Sequence, residues 1–219
     1  MIANNIITNA LVHLHPDDTV AQAITIMQIN YVKHLPVVKN KQLIGIASEE
    51  ELLRFDDDNS LRSLVLSDIG VYAKADEHIF EIFSKMVEHK LTSIPVIDEE
   101  EQYLGLISQE DLIRYYANSF SIREPGSILV LEVNKRSYTL SEMARIVELE
   151  NSSIICSFIS DIPDSANVLV TLKINRNDIQ SIIKAFDRYD YNVKATYAEE
   201  EVMDNIRERY DSLMSFLNV

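Results

Sequence analysis

Residues 105–111 read Gly-Leu-Ile-Ser-Gln-Glu-Asp, and residues 45–51, sixty positions earlier, read Gly-Ile-Ala-Ser-Glu-Glu-Glu. In both stretches a glycine opens a short apolar run that is typical of a buried strand, and a serine ends the run. The acid three positions after the serine falls in the first turn of the next helix, where it favours the positive end of the helix dipole and completes a capping box. The pattern predicts, twice, a strand that runs directly into a helix.

A second apolar strand containing a proline precedes each copy of this stretch. These strands read Leu35-Pro36-Val37-Val38 and Ile94-Pro95-Val96-Ile97. Polar residues 39–42 and 98–102 follow them and predict hairpin turns.

Earlier in each copy the apolar residues recur at the three- and four-residue steps of a helix with one buried face. Thr19 is the predicted N-cap of the first helix, a strand is expected at Leu11–His15, and a helix is expected from Ser48 to about Phe55. The connecting residues 61–66 read as helical or extended. A repeat of this size predicts two β-α-β-β-α modules, residues 1–60 and 61–122, that bury their sheet faces against each other. The helical apolar positions are Val20, Ala23, Ile24 and Met27 in the first copy and Ile79, Ile82, Phe83 and Met86 in the second.

The third section begins after Arg123-Glu124-Pro125-Gly126, a stretch typical of a domain boundary. Strands are expected at 127–133, 154–159, 168–174 and 191–197, and helices at 141–150 and 178–188. The order β-α-β-β-α-β predicts a ferredoxin-like sheet of four antiparallel strands with two helices on one face, spanning residues 126–198. Residues 199–219 predict a C-terminal amphipathic helix that packs on this protein or on a second copy.

Composition narrows the range of functions. The net charge of −15 disfavours nucleic acid as a partner, and any nucleotide site must supply its donors locally. The four glycines form neither a P-loop nor a dinucleotide fingerprint. The single cysteine, Cys156, has apolar neighbours and is expected to be a buried, inert strand residue of a reducing compartment. No apolar run is long enough for a membrane span, so we expect a cytoplasmic protein without a membrane partner.

On these motifs, residues 1–118 resemble a tandem pair of cystathionine-β-synthase-type (CBS) domains, also called a Bateman module. The resemblance rests on the two apolar-Pro-Val-apolar strands and the two Gly-x-x-Ser-x-x-acid stretches, in order and at family spacing. It implies an α/β protein that binds adenine nucleotides in clefts between the modules, where main chain meets the base and the serine and acid hold the ribose.

Carried over by position, the resemblance implies two sites of unequal quality. Aspartate is short and can accept from both vicinal ribose hydroxyls, whereas glutamate adds a torsion and holds a ribose less rigidly. Lys74, Lys90, His89 and Arg114 are candidate phosphate donors by sequence proximity. The better site comprises Ser93, Ile94, Pro95, Ser108 and Asp111, with Tyr72 from the opening strand. The weaker site comprises His34, Leu35, Pro36, Ser48 and Glu51, with His13.

The third section resembles an ACT domain, a small-molecule sensing module, and the whole layout is similar to the acetoin utilisation protein B group. The loop at residues 134–139 lacks the glycine that brings main chain to an amino acid in that family. We therefore expect the ACT-like domain to support a homodimer rather than to bind a ligand.

Other constellations carry little weight. His13 and His15 share one side of the expected strand but lack a third ligand at metal-like spacing, so no metal site is predicted. The expected function is that of a non-catalytic regulatory protein whose ligand is AMP, ADP, ATP or S-adenosylmethionine, with an unidentified protein partner downstream and no required cofactor. The alternative is a ligand-free structural dimer or partner-binding scaffold.

Overall fold

The computed structural model describes residues 2–7, 12–64, 71–198 and 214. The chain divides between Tyr116 and Ala117 into two compact units. The predicted helix at 199–219 lies outside the described residues apart from Met214, whose backbone is helical.

The first module contains helix α1 (Val20–Ile29), strands β1 (His34–Lys39) and β2 (Gln42–Ser48), and the one-turn helix α2 (Glu49–Leu52). The predicted cap of α1 is confirmed: the Thr19 hydroxyl accepts from the Gln22 N–H at 3.3 Å, and the Gln22 side chain accepts from the Thr19 N–H at 2.8 Å. β1 and β2 form an antiparallel hairpin. Asn40 and Lys41 make its turn with positive φ angles of 51° and 66°.

Two predictions for the first module were wrong in extent. The expected strand at Leu11–His15 is reduced to a single bridge between Leu14 and Val37, and Leu11 lies outside the described residues. The helix expected from Ser48 to Phe55 ends at Leu52. After Leu52, the Phe55 N–H donates to the Leu52 carbonyl at 3.0 Å. This three-residue spacing is that of a 3₁₀ turn and ends the α-helical hydrogen-bond pattern.

The second module repeats the plan with β3 (Ala73–Lys74), α3 (Ile79–Glu88), β4 (Ser93–Ile97), β5 (Tyr103–Ser108) and α4 (Gln109–Ser119). β3 runs parallel to β4, and β4 runs antiparallel to β5. Of the four predicted stripe residues of α3, three are buried, whereas Phe83 is 45% exposed. Leu61–Ser63 between the modules form a 3₁₀ turn, and residues 65–70 lie outside the described residues.

The modules interlock, as the repeat predicted. Ile46 of the first module packs in the core of the second, and Leu106 of the second packs in the core of the first. These two residues occupy equivalent positions sixty residues apart. The N-terminal arm also crosses over, because the Ala3 N–H donates to the Glu77 carbonyl at 2.9 Å. Neither module therefore completes its core alone.

The second unit has the predicted ferredoxin-like topology. Its elements are β6 (Ser127–Asn134), α5 (Leu140–Leu149), β7 (Ile154–Asp161), β8 (Asn167–Ile174), α6 (Gln180–Arg188) and β9 (Asn192–Tyr197). The sheet order is β7-β8-β6-β9, with every neighbouring pair antiparallel. Gly126 enters this sheet at a φ of +147°, where an added Cβ would collide with the Ile174 carbonyl.

Candidate functional site

The candidate site of the second module is built where the proline-containing strand begins and its partner strand ends. In the β4–β5 hairpin, Ser93 lies opposite Ser108 and Pro95 lies opposite Leu106. α4 starts at Gln109, directly after Ser108, so Asp111 occupies its first turn. Strand register and helix start thus place Ser93, Ser108 and Asp111 at one end of the sheet.

Ser108 and Asp111 exchange hydrogen bonds in both directions. The Asp111 Oδ2 accepts from the Ser108 N–H at 2.9 Å and from the Ser108 hydroxyl at 2.7 Å. The Ser108 hydroxyl accepts in turn from the Asp111 N–H at 3.1 Å. The Asp111 side chain is only 11% exposed, and these bonds fix the direction of its carboxylate.

Arg114 is the candidate phosphate donor that the structure places beside this carboxylate. Its Nη1 lies 3.6 Å from the Asp111 Oδ1, and its Nη2 donates to the Glu110 Oε1 at 2.6 Å. The Arg114 side chain is 60% exposed. His89 and Lys90 follow the end of α3, His89 being its C-cap.

The first module repeats this geometry on a smaller scaffold. His34 lies opposite Ser48, and Pro36 lies opposite Ile46. The Ser48 hydroxyl accepts from the Glu51 N–H at 3.2 Å. α2 has four residues, against eleven in α4, so Glu51 sits on a single turn.

The other predicted site residues make packing contacts or hydrogen bonds within the protein. Leu35 and Ile94 are fully buried. The His13 ring packs edge-on against Tyr103 with 5.7 Å between ring centroids. The Ser93 hydroxyl donates to the His34 carbonyl at 2.6 Å, so its side chain joins the two modules.

Tyr72 lines a cavity of about 490 Å³ at the turn of the β4–β5 hairpin, and Ser93, Ser108 and Asp111 are not among the residues that line it. The lining also includes Lys74 and Ile97, and a neighbouring cavity of about 280 Å³ shares Tyr72 and Ile97 with it. Carboxylates dominate the rest of the wall of the larger cavity, so several phosphates would be repelled there. These carboxylates belong to Asp76, Asp98, Glu99, Glu100 and Glu101.

Thr92 is a residue of this region that the sequence pattern did not single out. Its hydroxyl accepts from the Lys33 N–H at 2.7 Å and from the His34 N–H at 3.1 Å, across the boundary between the modules. The available signal was its position, immediately before the second proline-containing strand and 59 residues after Lys33.

The other candidate groups have structural surroundings. Within the described residues, no group of three or more His, Cys, Asp or Glu side chains is arranged to hold a metal ion. His15 instead accepts from the Asp17 N–H at 3.2 Å. Cys156 lies on β7 as predicted but is only partly buried, because β7 is an edge strand; burial raises the pKa of its thiol and Lys173 opposes that shift. No helix in the described part of the chain is long and apolar enough to cross a membrane.

In the second unit, the loop at residues 134–139 borders a cavity of about 280 Å³. Within that cavity the Tyr191 hydroxyl donates to the Glu142 Oε2 at 2.7 Å. Burial and this carboxylate raise the pKa of Tyr191 to about 12. The pair ties α5 to the start of β9.

Comparison with known proteins identifies the modules. A family model described as "CBS domain" matches residues 3–58 and 65–118, which together make up half of the chain. The chain is 24% identical over 153 residues to an inosine-5'-monophosphate dehydrogenase from Methanocaldococcus jannaschii, covering 69% of this chain. It is 27% identical over 117 residues to a homoserine O-acetyltransferase from Methanococcus vannielii, covering 51% of this chain. The chain spans 31% and 24% of the lengths of these two enzymes.

Two solved structures are similar to part of this chain. One is described as a putative acetoin utilization protein from Vibrio cholerae; it is 22% identical, with a TM-score of 0.50, and the match covers 57% of this chain and 96% of that one. Another is a CBS domain pair solved in complex with 5'-methylthioadenosine and S-adenosyl-L-methionine; it is 20% identical, with a TM-score of 0.46, and the match covers 54% of this chain and 97% of that one.

Proposed function

This chain belongs to the CBS-domain family, and on that basis we propose that its second module binds an adenine nucleotide and that the protein is regulatory rather than catalytic. The contacts to the ligand would come from Ser108 and Asp111, from the main chain at residues 93–95, and from Tyr72. The first-module site at Ser48 and Glu51 is the weaker of the two.

The observation that carries this proposal is the fixed Asp111 carboxylate. Its Oδ2 is held by the N–H and the hydroxyl of Ser108, and the side chain is almost enclosed. A carboxylate that is already ordered loses little entropy when a ribose diol binds, so more of the hydrogen-bond energy appears as affinity. Charge-assisted hydrogen bonds to such a group contribute about 1.5–3 kcal/mol each.

The interlocked cores provide a route from binding to regulation. Ile46 and Leu106 each pack in the core of the other module. A nucleotide that prefers one arrangement of the modules therefore moves both of them, and a partner protein can bind the changed arrangement. We assign the homodimer contact to the ACT-like domain, whose edge strand β7 leaves Phe158 and Ile159 about half exposed.

Thermal unfolding with AMP, ADP, ATP, S-adenosylmethionine and free amino acids tests the proposal. A ligand at about 100 times its dissociation constant adds about 2.7 kcal/mol to the free energy of unfolding. Asp111→Asn should abolish most of that gain. Glu148→Gln is the control, since it removes an exposed carboxylate of α5 in the second unit.

The outcomes separate the alternatives. If no nucleotide raises the unfolding midpoint, the proposed nucleotide binding fails and the alternative, a ligand-free scaffold, is favoured. If a nucleotide acts equally on wild type and Asp111→Asn, the function survives and the site is wrong. Light scattering that shows a monomer at high concentration would exclude the dimer.

A further inference from the structure

The two modules are joined by a reciprocal set of hydrogen bonds at the entrances to β1 and β4. The Thr92 hydroxyl oxygen accepts from the main-chain N–H groups of Lys33 and His34, at 2.7 and 3.1 Å. The Ser93 hydroxyl donates back to the His34 carbonyl at 2.6 Å. These bonds join one threonine and one serine of the second module to the main chain of the first.

The His34 ring completes this contact as an acceptor. Its Nδ1 accepts from the Thr92 N–H at 3.2 Å and lies 3.1 Å from the Thr92 hydroxyl oxygen. An imidazole that accepts at Nδ1 carries its proton on Nε2 and is neutral. A second proton would have to sit on Nδ1, where it would face the Thr92 N–H.

Thr92 and Lys33 also hold the starts of the two helices that carry Asp111 and Glu51. The Thr92 carbonyl accepts from the Gln109 N–H at 3.0 Å, at the first residue of α4. The Lys33 carbonyl accepts from the Glu49 N–H at 2.8 Å, at the first residue of α2. Movement at this contact is therefore transmitted to the turns that bear Asp111 and Glu51.

We propose that Thr92 and His34 form a proton-sensitive clamp that holds the two clefts in their binding arrangement, so that nucleotide affinity falls when His34 is protonated. The effect on affinity rests on the proposed function, whereas the clamp itself does not. Thr92 acts as a positioning residue, since it orients the segments that would contact the ligand.

The charges around His34 define the direction of the pH effect. Burial lowers the pKa of His34 below its ordinary 6.5, and Lys33 adds to this, whereas Glu51 and Glu49 on α2 oppose it. On the β4 side the contacts come from Thr92 and Ser93, which carry no charge. The unfolded chain binds a proton at His34 more readily than the folded chain does. The contribution of neutral His34 to the free energy of unfolding is therefore complete above about pH 6.5 and is lost as the pH falls below that value.

The clamp can be tested without a ligand. In wild type, the nuclear magnetic resonance titration of His34 should give a pKa below its ordinary value. The His34 signal is identified as the one that is missing from the spectrum of His34→Gln. Thr92→Val keeps the shape and removes the hydroxyl, and it should shift the His34 pKa. Thr25→Val is the matched control, since that hydroxyl bonds within α1 at an exposed position. A His34 pKa at or above the ordinary value, or one unchanged in Thr92→Val, overturns the clamp.

Calorimetry with AMP tests the consequence for binding. From about pH 7.5 to about pH 5.5, wild-type affinity should fall roughly fivefold further than that of His34→Gln, at the low end of typical couplings. The phosphate of AMP titrates identically in both proteins, so the difference isolates His34. Equal pH dependence in the two proteins contradicts the proposal. If AMP binds to neither protein, the proposed AMP site fails, and the His34 titration alone decides the clamp.

Discussion

The two modules share one architecture but hold their acids differently. In the second module the Ser108 hydroxyl accepts from the Asp111 N–H and donates to the Asp111 carboxylate, on a helix of eleven residues. In the first module the Ser48 hydroxyl accepts from the Glu51 N–H on a helix of four residues. The duplicated fold therefore preserves the serine cap in both modules, and in the second module the same serine also holds the carboxylate of the acid.

The largest expected effect tests whether the modules are structurally equivalent. Leu35→Ala and Ile94→Ala each remove a fully buried side chain at matching positions. Each should lower the free energy of unfolding by about 2–5 kcal/mol, measured by urea denaturation. Leu53→Ala, at a residue that is 66% exposed, is the control and should change it by less than about 0.5 kcal/mol. A cost that is large in only one module would show that the cores are unequal as well.

Exchanging the acids sharpens the comparison itself. Asp111→Glu should weaken nucleotide binding roughly tenfold, about 1.4 kcal/mol, because the longer side chain loses its fixed direction. Glu51→Asp should leave the second-module site unchanged and improve any binding in the first. Calorimetry on both variants measures this. Equal affinities for wild type and Asp111→Glu would mean that carboxylate length does not distinguish the modules.

The two serine caps should differ in strength. Ser108→Ala should cost about 1–2 kcal/mol of stability and Ser48→Ala about 0.5–1 kcal/mol, since Ser108 both accepts and donates. Thr139→Ala is the control, because the Thr139 side chain makes no capping bond to α5. Chemical denaturation of the three variants ranks the caps, and a larger cost at Ser48 would reverse the proposed order.

The smallest expected effect is the dependence of affinity on the number of phosphates in the nucleotide. The carboxylates around Tyr72 should make ATP bind roughly threefold more weakly than AMP at low salt, with the gap narrowing as salt screens the charges. Replacing Glu99, Glu100 and Glu101 together by glutamine should also narrow the difference in affinity between ATP and AMP. Tighter binding of ATP than of AMP would place the phosphates away from this wall.

The sequence predicted the repeated architecture because periodicity and capping are local signals. The α1 cap at Thr19 and both proline-containing strands appear where the pattern indicated. The N-terminal arm on Glu77 and the Thr92–His34 contact could not be predicted, since both join residues far apart in sequence. The extent of the opening strand could not be predicted for the same reason, because its one bridge, between Leu14 and Val37, joins residues that lie apart in sequence.

For the candidate site, the repeat located Ser108 and Asp111 but not their mutual geometry. The spacing of three residues indicated a capping box, and the structure shows that the serine hydroxyl also donates to the carboxylate. The role of the Ser93 hydroxyl could not be inferred, because its acceptor is the His34 carbonyl of the other module.

A crystal structure of the chain with the nucleotide that most raises its unfolding midpoint tests the central claim most directly. The inequality of the modules predicts ribose hydroxyls within hydrogen-bond distance of the Asp111 carboxylate, with the base against the main chain of residues 93–95. A nucleotide held by Glu51 in the first module while the second-module site is empty, or one bound away from both acids, would contradict it.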